Sequence, residues 1–166
     1  MDGETKLYRK HYKDNREWSD RLLRRVAGIL GEVFIQTSPD VEDMQHNTDL
    51  MVLNNRPHRY AVRIRKNRYS KWADQFTIRS GLRSDIPTEF DKIIDGFGDY
   101  MFYGIANSER DDLVCYSIID LDVFRNHLGD STVHAQVMEN QDETKFLFFS
   151  YDQFPEELIV RSHHED

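Results

Sequence analysis

The sequence predicts an α/β protein, and three observations support that fold class. An apolar stripe at helical spacing runs from Trp18 to Phe34. Three short segments between residues 47 and 80 then follow the two-residue alternation of strands. Two later runs, residues 99–106 and 113–119, are apolar on both faces, which is typical of central strands. Helices are therefore expected to flank a buried sheet.

The length and composition predict one domain that lies outside the membrane. A chain of 166 residues is sufficient for a single core, here expected over residues 15–160, with a flexible N-terminus at 1–14 and a disordered tail at 161–166. The single cysteine, Cys115, excludes an intramolecular disulfide and fits a reducing compartment. The chain has no apolar run of transmembrane length and no CxxC or HExxH motif. We therefore expect a cytoplasmic protein with no membrane partner and no structural zinc.

The first half of the chain is predicted to be a helix followed by three strands. The helix is expected to begin near Asn15 or Arg16 and to end before Pro39. Strands are expected over residues 47–53, 59–66 and 75–80, with turn chemistry at 54–57. Alternation in the second strand places Tyr60, Val62 and Ile64 on one face. The opposite face then carries Arg59, Ala61, Arg63 and Arg65.

The second half is predicted to place two short helices around the two central strands. Asp85 is a plausible N-cap for the first helix and Gly96 a plausible stop. Asp120 is expected to cap the second helix, over residues 120–128. Residues 133–138 and 145–150 are predicted to form a hairpin, and an apolar terminal segment follows at 158–160.

The charge of the chain is concentrated in one segment. Residues 56–83, called here the basic segment, hold nine Lys or Arg and one acid, a net charge of +8, although the whole chain carries −8. Such a segment is the footprint of phosphate binding, and Tyr60, Tyr69 and Trp72 can stack on bases. A solvated surface whose arginine stems cover apolar neighbours is the alternative. The residues predicted to bind nucleic acid are Arg59, Lys66, Arg68, Lys71, Trp72, Arg79 and Arg83.

The order of predicted elements, together with two short motifs, carries a family resemblance. Asp49 opens a strand, and the triplet Arg63-Ile64-Arg65 lies in the next strand after a short turn. With a preceding helix that contains Glu32, residues 16–128 resemble the PD-(D/E)XK nuclease superfamily, and in particular small uncharacterised bacterial and phage proteins with that core. The resemblance implies a restriction-endonuclease-like core, in which a mixed central sheet is flanked by helices.

The resemblance also implies a catalytic site. Asp49 and Glu32 would hold Mg²⁺, and a metal-bound water would attack the phosphodiester. Arg63 and Arg65 occupy the triplet positions where the family has an acid and a lysine. Because a guanidinium cannot ligate Mg²⁺, the missing carboxylate would have to come from Glu32, Asp74 or Glu89, while Gln75 offers a carbonyl oxygen. The implied catalytic residues are Glu32, Asp49, Arg63, Arg65 and Gln75.

Three functions follow from these observations, of which a purely structural partner module is the weakest. The first is a nuclease-fold protein acting on nucleic acid, with Mg²⁺ as cofactor only if it is active. The second is a catalytically inactive module that binds nucleic acid or a protein partner, such as a phage-type inhibitor or accessory protein. The overall charge of −8 slightly favours a protein partner. In either case the implied catalytic residues are expected on one side of the sheet, and the oligomeric state stays open.

Overall fold

The computed structural model describes residues 3–31, 35–37, 50–53, 57–81, 86–140 and 143–164. Side chains are described from Glu17 onward, except those of residues 35–37 and 50–53. Four residues of the predictions lie outside the described residues: Glu32, Asp49, Arg83 and Asp85.

The described strands form two sheets. A larger sheet has the strand order β1-β2-β3-β5-β6-β9 and a smaller one the order β4-β8-β7. The strands are β1 Ile35–Thr37, β2 Leu50–Leu53, β3 Pro57–Arg65, β4 Gln75–Gly81, β5 Tyr100–Ala106, β6 Leu113–Asp120, β7 Gln136–Glu139, β8 Lys145–Ser150 and β9 Ile159–His164.

The larger sheet is mixed, which confirms the α/β class. β3 pairs in parallel with β5, from Tyr60 opposite Tyr100 to Arg65 opposite Ile105, and the other pairings are antiparallel. β2 and β3, the first two predicted strands, pair antiparallel as neighbours. β4, the third predicted strand, leaves this sheet and pairs with β8. The three strands are therefore consecutive in sequence but do not lie side by side in one sheet.

Three α-helices and three 3-10 helices accompany the sheets in the described part of the chain, and the longest of the latter, at residues 67–72, is called here the 3-10 helix. Helix α1, Gly3–Leu30, begins well before the predicted start near Asn15. The other two are α2, Glu89–Ile94, and α3, Leu121–His127, and the 3-10 helix spans Asn67–Trp72. The early start of α1 follows from a polar segment without glycine or proline between residues 4 and 27, so no residue there breaks the helix.

The short helices are positioned by their caps. Thr88 caps α2 in a capping box with Asp91, whereas the predicted cap was Asp85. Gly96 follows α2 with φ +90°, so the predicted glycine stop is confirmed. Asp120 caps α3 by accepting the backbone N–H groups of Asp122 and Val123, as expected.

The two faces of the larger sheet pack on different layers. On one face, Trp18, Leu22 and Val26 of α1 cover Ile64 and other apolar residues. On the other face, the smaller sheet and helices α2 and α3 form the second core around Ala61. The predicted alternation of β3 is therefore confirmed, and Arg63 and Arg65 lie on the face that the smaller sheet covers.

Aromatic packing fixes the smaller sheet against α3. Phe76 of β4 stacks on Phe149 of β8 at 5.5 Å between ring centroids, and Phe124 of α3 meets Phe149 edge-on at 5.2 Å. Such pairs contribute about 0.5–1.5 kcal/mol each beyond their buried area. This cluster holds β8 in place beside the functional site described below.

The C-terminal end is more ordered than the sequence predicts. Residues 161–164 were expected in a disordered tail, but β9 continues to His164 and pairs with β6 as far as Cys115. Tyr116 lies 5.8 Å from the ring of His163 between centroids. Cross-strand contacts of this kind stabilise a polar strand that has little β-pattern of its own.

Two structural facts concern the apolar segments of the chain. No helix in the described ranges is long and apolar enough to cross a membrane. Cys115 is buried in β6, and burial raises the pKa of its thiol. The thiol is therefore the structural residue that the apolar run around it predicts.

Candidate functional site

A cavity of about 560 Å³ lies where the end of β3 meets the smaller sheet. Its wall combines Trp18 of α1, the second half of β3, the 3-10 helix and residues of β4, β7 and β8. The topology explains this meeting point. The 3-10 helix carries the chain from the end of β3 to the start of β4, so the cavity forms beside the crossing from one sheet to the other.

The cavity wall is strongly cationic. β3 and the 3-10 helix supply four of its cations and β4 supplies the fifth. No Asp or Glu belongs to the described lining residues. An apolar or neutral ligand would leave these charges uncompensated, so the wall suits an anion. The cations are Arg63, Arg65, Lys66, Arg68 and Arg79.

One of these cations is neutralised by a carboxylate behind the wall. Arg63 Nη1 donates to Glu89 Oε2 at 2.5 Å, and the two side chains are only 14% and 12% exposed. The same oxygen accepts the backbone N–H of Arg79 at 2.9 Å. Glu89 is the first residue of α2, where the helix dipole also favours a negative charge. The pair therefore joins β3, β4 and α2.

Arg65 is oriented by neutral groups. Its Nη1 donates to Thr77 Oγ1 at 2.6 Å, and that hydroxyl lies 3.4 Å from the Tyr103 hydroxyl. Its guanidinium carbon lies 4.0 Å from the centroid of the Tyr69 ring. Neither contact supplies a negative charge. Arg65 is thus held in position with its charge intact.

Three guanidinium groups gather around one aromatic ring. The guanidinium carbons of Arg63, Arg65 and Arg79 lie 5.0, 5.8 and 5.9 Å from the centroid of Phe146. Cation–π attraction offsets part of their mutual repulsion. Glu89 is the carboxylate that the described residues place beside this group. An arginine cluster with a surplus of positive charge is a suitable receptor for phosphate.

Two titratable groups report the positive potential at the cavity. The pKa of Lys66 is lowered by partial burial and then by the charges of Arg110 and Arg68. The pKa of Tyr69 is also lowered: burial opposes the shift, but the hydrogen bond from Arg68 and the charges of Arg65 and Arg68 outweigh it. Both shifts have the sign expected where cations are crowded.

The wall also contains hydrogen-bond donors that have no acceptor. Among the described residues, three buried side-chain nitrogen atoms lack a partner: Trp18 Nε1, Arg63 Nε and Arg79 Nε. All three belong to residues that line the cavity. The three nitrogen atoms are covered by the protein, and leaving such buried donors unpaired is costly.

Three large apolar side chains lie in the exposed part of the wall, beside Arg68, Gln136 and Asn140, and these apolar side chains are called here the rim. Trp72, at the end of the 3-10 helix, is 44% exposed, and Lys71 Nζ lies 4.1 Å from the centroid of its ring. Val137 and Met138 of β7 also line the cavity and are more than half exposed. The cavity therefore presents exposed apolar groups above a cationic floor.

The structure brings together most of the residues that were predicted for the site. Arg63, Arg65 and Gln75 line the same cavity, and so do Lys66, Arg68, Trp72 and Arg79. Glu32, Asp49 and Arg83 lie outside the described residues.

Three predicted contributors lie elsewhere. Arg59 is exposed at the start of β3 and is not part of the wall, and Lys71 reaches only the Trp72 ring. Tyr60 packs in the core beside α1, where it stacks on Tyr100 at 5.1 Å, because the alternation of β3 turns it away from the arginines.

Sequence reasoning missed the contributions of α1 and the hairpin. Trp18 is predicted as an ordinary member of the helix stripe, and Phe146 and Phe148 only as part of the second strand of the hairpin. The charge count could not find them because the basic segment ends at Arg83. The sequence indicates their position only through the two-residue period of β8, which places Phe146 and Phe148 on the same face of the strand.

Both carboxylates that the resemblance assigns to Mg²⁺, Asp49 and Glu32, lie outside the described residues. No group of three His, Cys, Asp or Glu side chains within the described ranges could hold a metal ion. Glu89 is already paired with Arg63, and Asp74 is exposed and does not line the cavity. We therefore derive no catalytic step through a metal from these side chains.

Comparison with known proteins adds no relative. No protein-family model, curated protein or solved structure matches the chain.

Proposed function

We propose that the protein is a nucleic-acid-binding module, and that the cavity binds the phosphates of its ligand. The surplus of donors in the wall carries this proposal. Five cations line the cavity, while the carboxylate of Glu89 lies behind it. A ligand that fits must carry several negative charges and many acceptor atoms, and a nucleic-acid strand carries both.

The aromatic residues favour nucleic acid over an acidic protein segment. A stretch of Asp and Glu could also neutralise the cations, but it has no flat π-system to place against the exposed ring of Trp72. Stacking on aromatic side chains is a general feature of nucleic-acid recognition. Binding of an acidic protein is accordingly the competing outcome of the experiment below.

The proposal includes a relationship with the PD-(D/E)XK fold. The order of elements is α1, β1, β2, β3, β4, α2 and β5, with β4 paired in the smaller sheet. This order and the position of Arg63-Ile64-Arg65 on the second strand of the β2–β3 hairpin support it. At the first triplet position Arg63 forms an ion pair with Glu89. This pair suits a site that binds phosphate better than one that coordinates a cation, so we place binding ahead of hydrolysis.

The test is the salt dependence of oligonucleotide binding, measured by fluorescence anisotropy. Within the described residues Arg65, Lys66, Arg68 and Arg79 form no ion pair, so their charges are available to phosphates. Each contact with a single strand contributes about −0.7 to the slope of log K against log salt concentration, which predicts a slope of about −3. The double variant Lys66→Gln/Arg68→Gln should reduce its magnitude by about 1.4.

A matched control separates the cavity from general surface charge. Arg161 is exposed on β9, at the opposite edge of the larger sheet from β1, and Arg161→Gln should leave the slope unchanged. Absence of oligonucleotide binding at low salt would refute the proposal. Binding that weakens equally in the Arg161 variant and in the double variant would show that the cavity is not the site.

A further inference from the structure

We infer that the ligand is a single strand with unpaired bases, and that Trp72 is the residue that selects it. This inference rests on the proposed function and specifies which form of nucleic acid the cavity takes. The inference follows from the exposed apolar side chains that lie beside the cations of the cavity. A site that bound only phosphate would need the cations and no apolar side chains.

The rim is built from side chains that are costly to leave in water. Trp72, Val137 and Met138 are among the few large apolar side chains that are exposed in the described part of the chain, and all three line this cavity. Trp72 comes from the loop between the sheets, whereas the other two come from the edge strand β7. Two unrelated elements therefore converge to form one apolar rim, as expected of a binding surface.

The two surfaces match the two parts of a nucleotide. Arg65, Lys66 and Arg68 stand at the end of β3 and in the 3-10 helix, and the same 3-10 helix carries Trp72. The Tyr69 and Trp72 rings lie 6.1 Å apart between centroids at an angle of 37°. A strand whose phosphates contact the cations can therefore place a base against Trp72.

A duplex cannot use this arrangement. Its phosphates face outward and its bases are stacked inside, so the exposed surfaces of Trp72, Val137 and Met138 would meet only polar backbone. An unpaired base has a free π-face, which an aromatic side chain can stack on whatever the sequence. The rim therefore adds affinity for a single strand alone.

The experiment compares three fluorescein-labelled ligands by anisotropy at one salt concentration. These are a single-stranded oligodeoxythymidine, an abasic oligonucleotide of the same length and a blunt duplex of the same length. We expect the single strand to bind tightest. Because stacking of one base on an aromatic residue changes the affinity about ten- to a hundredfold, Trp72→Ala should weaken binding of the single strand by that factor. The abasic oligonucleotide should bind the native protein and Trp72→Ala equally.

Two further variants make the result interpretable. Trp72→Phe retains an aromatic face and should restore most of the affinity. Ile94→Ala removes an apolar side chain that is also 44% exposed but lies outside the cavity, so it should bind like the native protein. A thermal melt of each variant confirms that it is folded.

The outcomes separate this inference from the proposed function. If the duplex or the abasic oligonucleotide binds as tightly as the single strand, the cavity recognises phosphate only, so the inference is overturned and the proposed function stands. If Trp72→Ala weakens all three ligands alike, Trp72 is not a base-stacking residue and the inference again fails. If no ligand binds, both fail.

Discussion

The ion pair between Glu89 and Arg63 predicts an unusual asymmetry between two conservative substitutions. Glu89→Gln removes the carboxylate that neutralises the arginine cluster around Phe146, and it leaves three guanidinium groups within 6 Å of that ring. Arg63→Gln removes one of those charges. The Glu89 carboxylate then keeps its hydrogen bond from the Arg79 backbone and its attraction to the remaining guanidinium groups. The first change should therefore cost far more stability than the second.

The magnitudes follow from the burial of the pair. Breaking a buried ion pair by removing one partner costs about 3–5 kcal/mol, and because both side chains are slightly exposed we expect Glu89→Gln to cost about 3 kcal/mol. Arg63→Gln loses a hydrogen bond to a charged group, a cost of about 1–2 kcal/mol. For a chain of this length the first value corresponds to a fall in Tm of about 6–12 °C.

Urea unfolding followed by far-ultraviolet circular dichroism measures both values. The double variant Glu89→Gln/Arg63→Gln should be more stable than Glu89→Gln alone, because it removes the uncompensated charge. Added phosphate should stabilise Glu89→Gln more than Arg63→Gln, since the anion can replace the lost carboxylate. Equal costs for the two single variants, or a double variant less stable than Glu89→Gln, would refute the charge surplus at the cavity.

Three further predictions concern charge, backbone and catalysis. The pKa of Lys66 is lower in the folded than in the unfolded protein, so the free energy of unfolding without ligand should rise with pH between the folded pKa and about 10.5. In urea unfolding at a series of pH values, the stability difference between the native protein and Lys66→Gln should vanish above that range. Gly98 has φ +79°, and a Cβ added there would lie 3.1 Å from Leu121. Gly98→Ala should therefore lower the free energy of unfolding in urea by at least about 1–2 kcal/mol. Gly129→Ala is the control and should be nearly neutral, because a Cβ added there would have no atom within 4 Å. Any phosphodiester cleavage should need a divalent cation and be absent in Asp49→Asn; cleavage of a labelled oligonucleotide that survives both chelation and this change would contradict the implied nuclease site.

Local patterns predicted the parts of the fold that depend on local physics. The alternation of Val62 and Ile64 with Arg63 and Arg65 sorted the two faces of β3 correctly, because the two-residue period of a strand needs no tertiary information. Apolar residues on both faces identified β5 and β6 as central strands for a similar reason. The Asp120 cap is also a local interaction.

Long-range pairing was beyond the reach of these patterns. β4 alternates like a strand of the larger sheet, but which partner it selects depends on Phe149 and Phe124 in distant segments. The same limit hid half of the candidate site. Phe146 is far from the basic segment in sequence and joins it only because β8 pairs with β4. The charge composition of the sequence identified the cations of the site. It could not identify Phe146, which the smaller sheet contributes.

The central claim is that nucleic acid occupies the cavity beside Arg63, Arg79 and Trp18, and nuclear magnetic resonance tests it most directly. The indole N–H of Trp18 and the Nε–H groups of the two arginines have no acceptor within the described residues, and each gives its own proton–nitrogen signal. On titration with a single-stranded oligonucleotide, these signals and the Trp72 indole signal should shift together and saturate at one equivalent. Binding that leaves all four signals unmoved while resonances of the opposite sheet edge, such as Arg161, change would contradict the account.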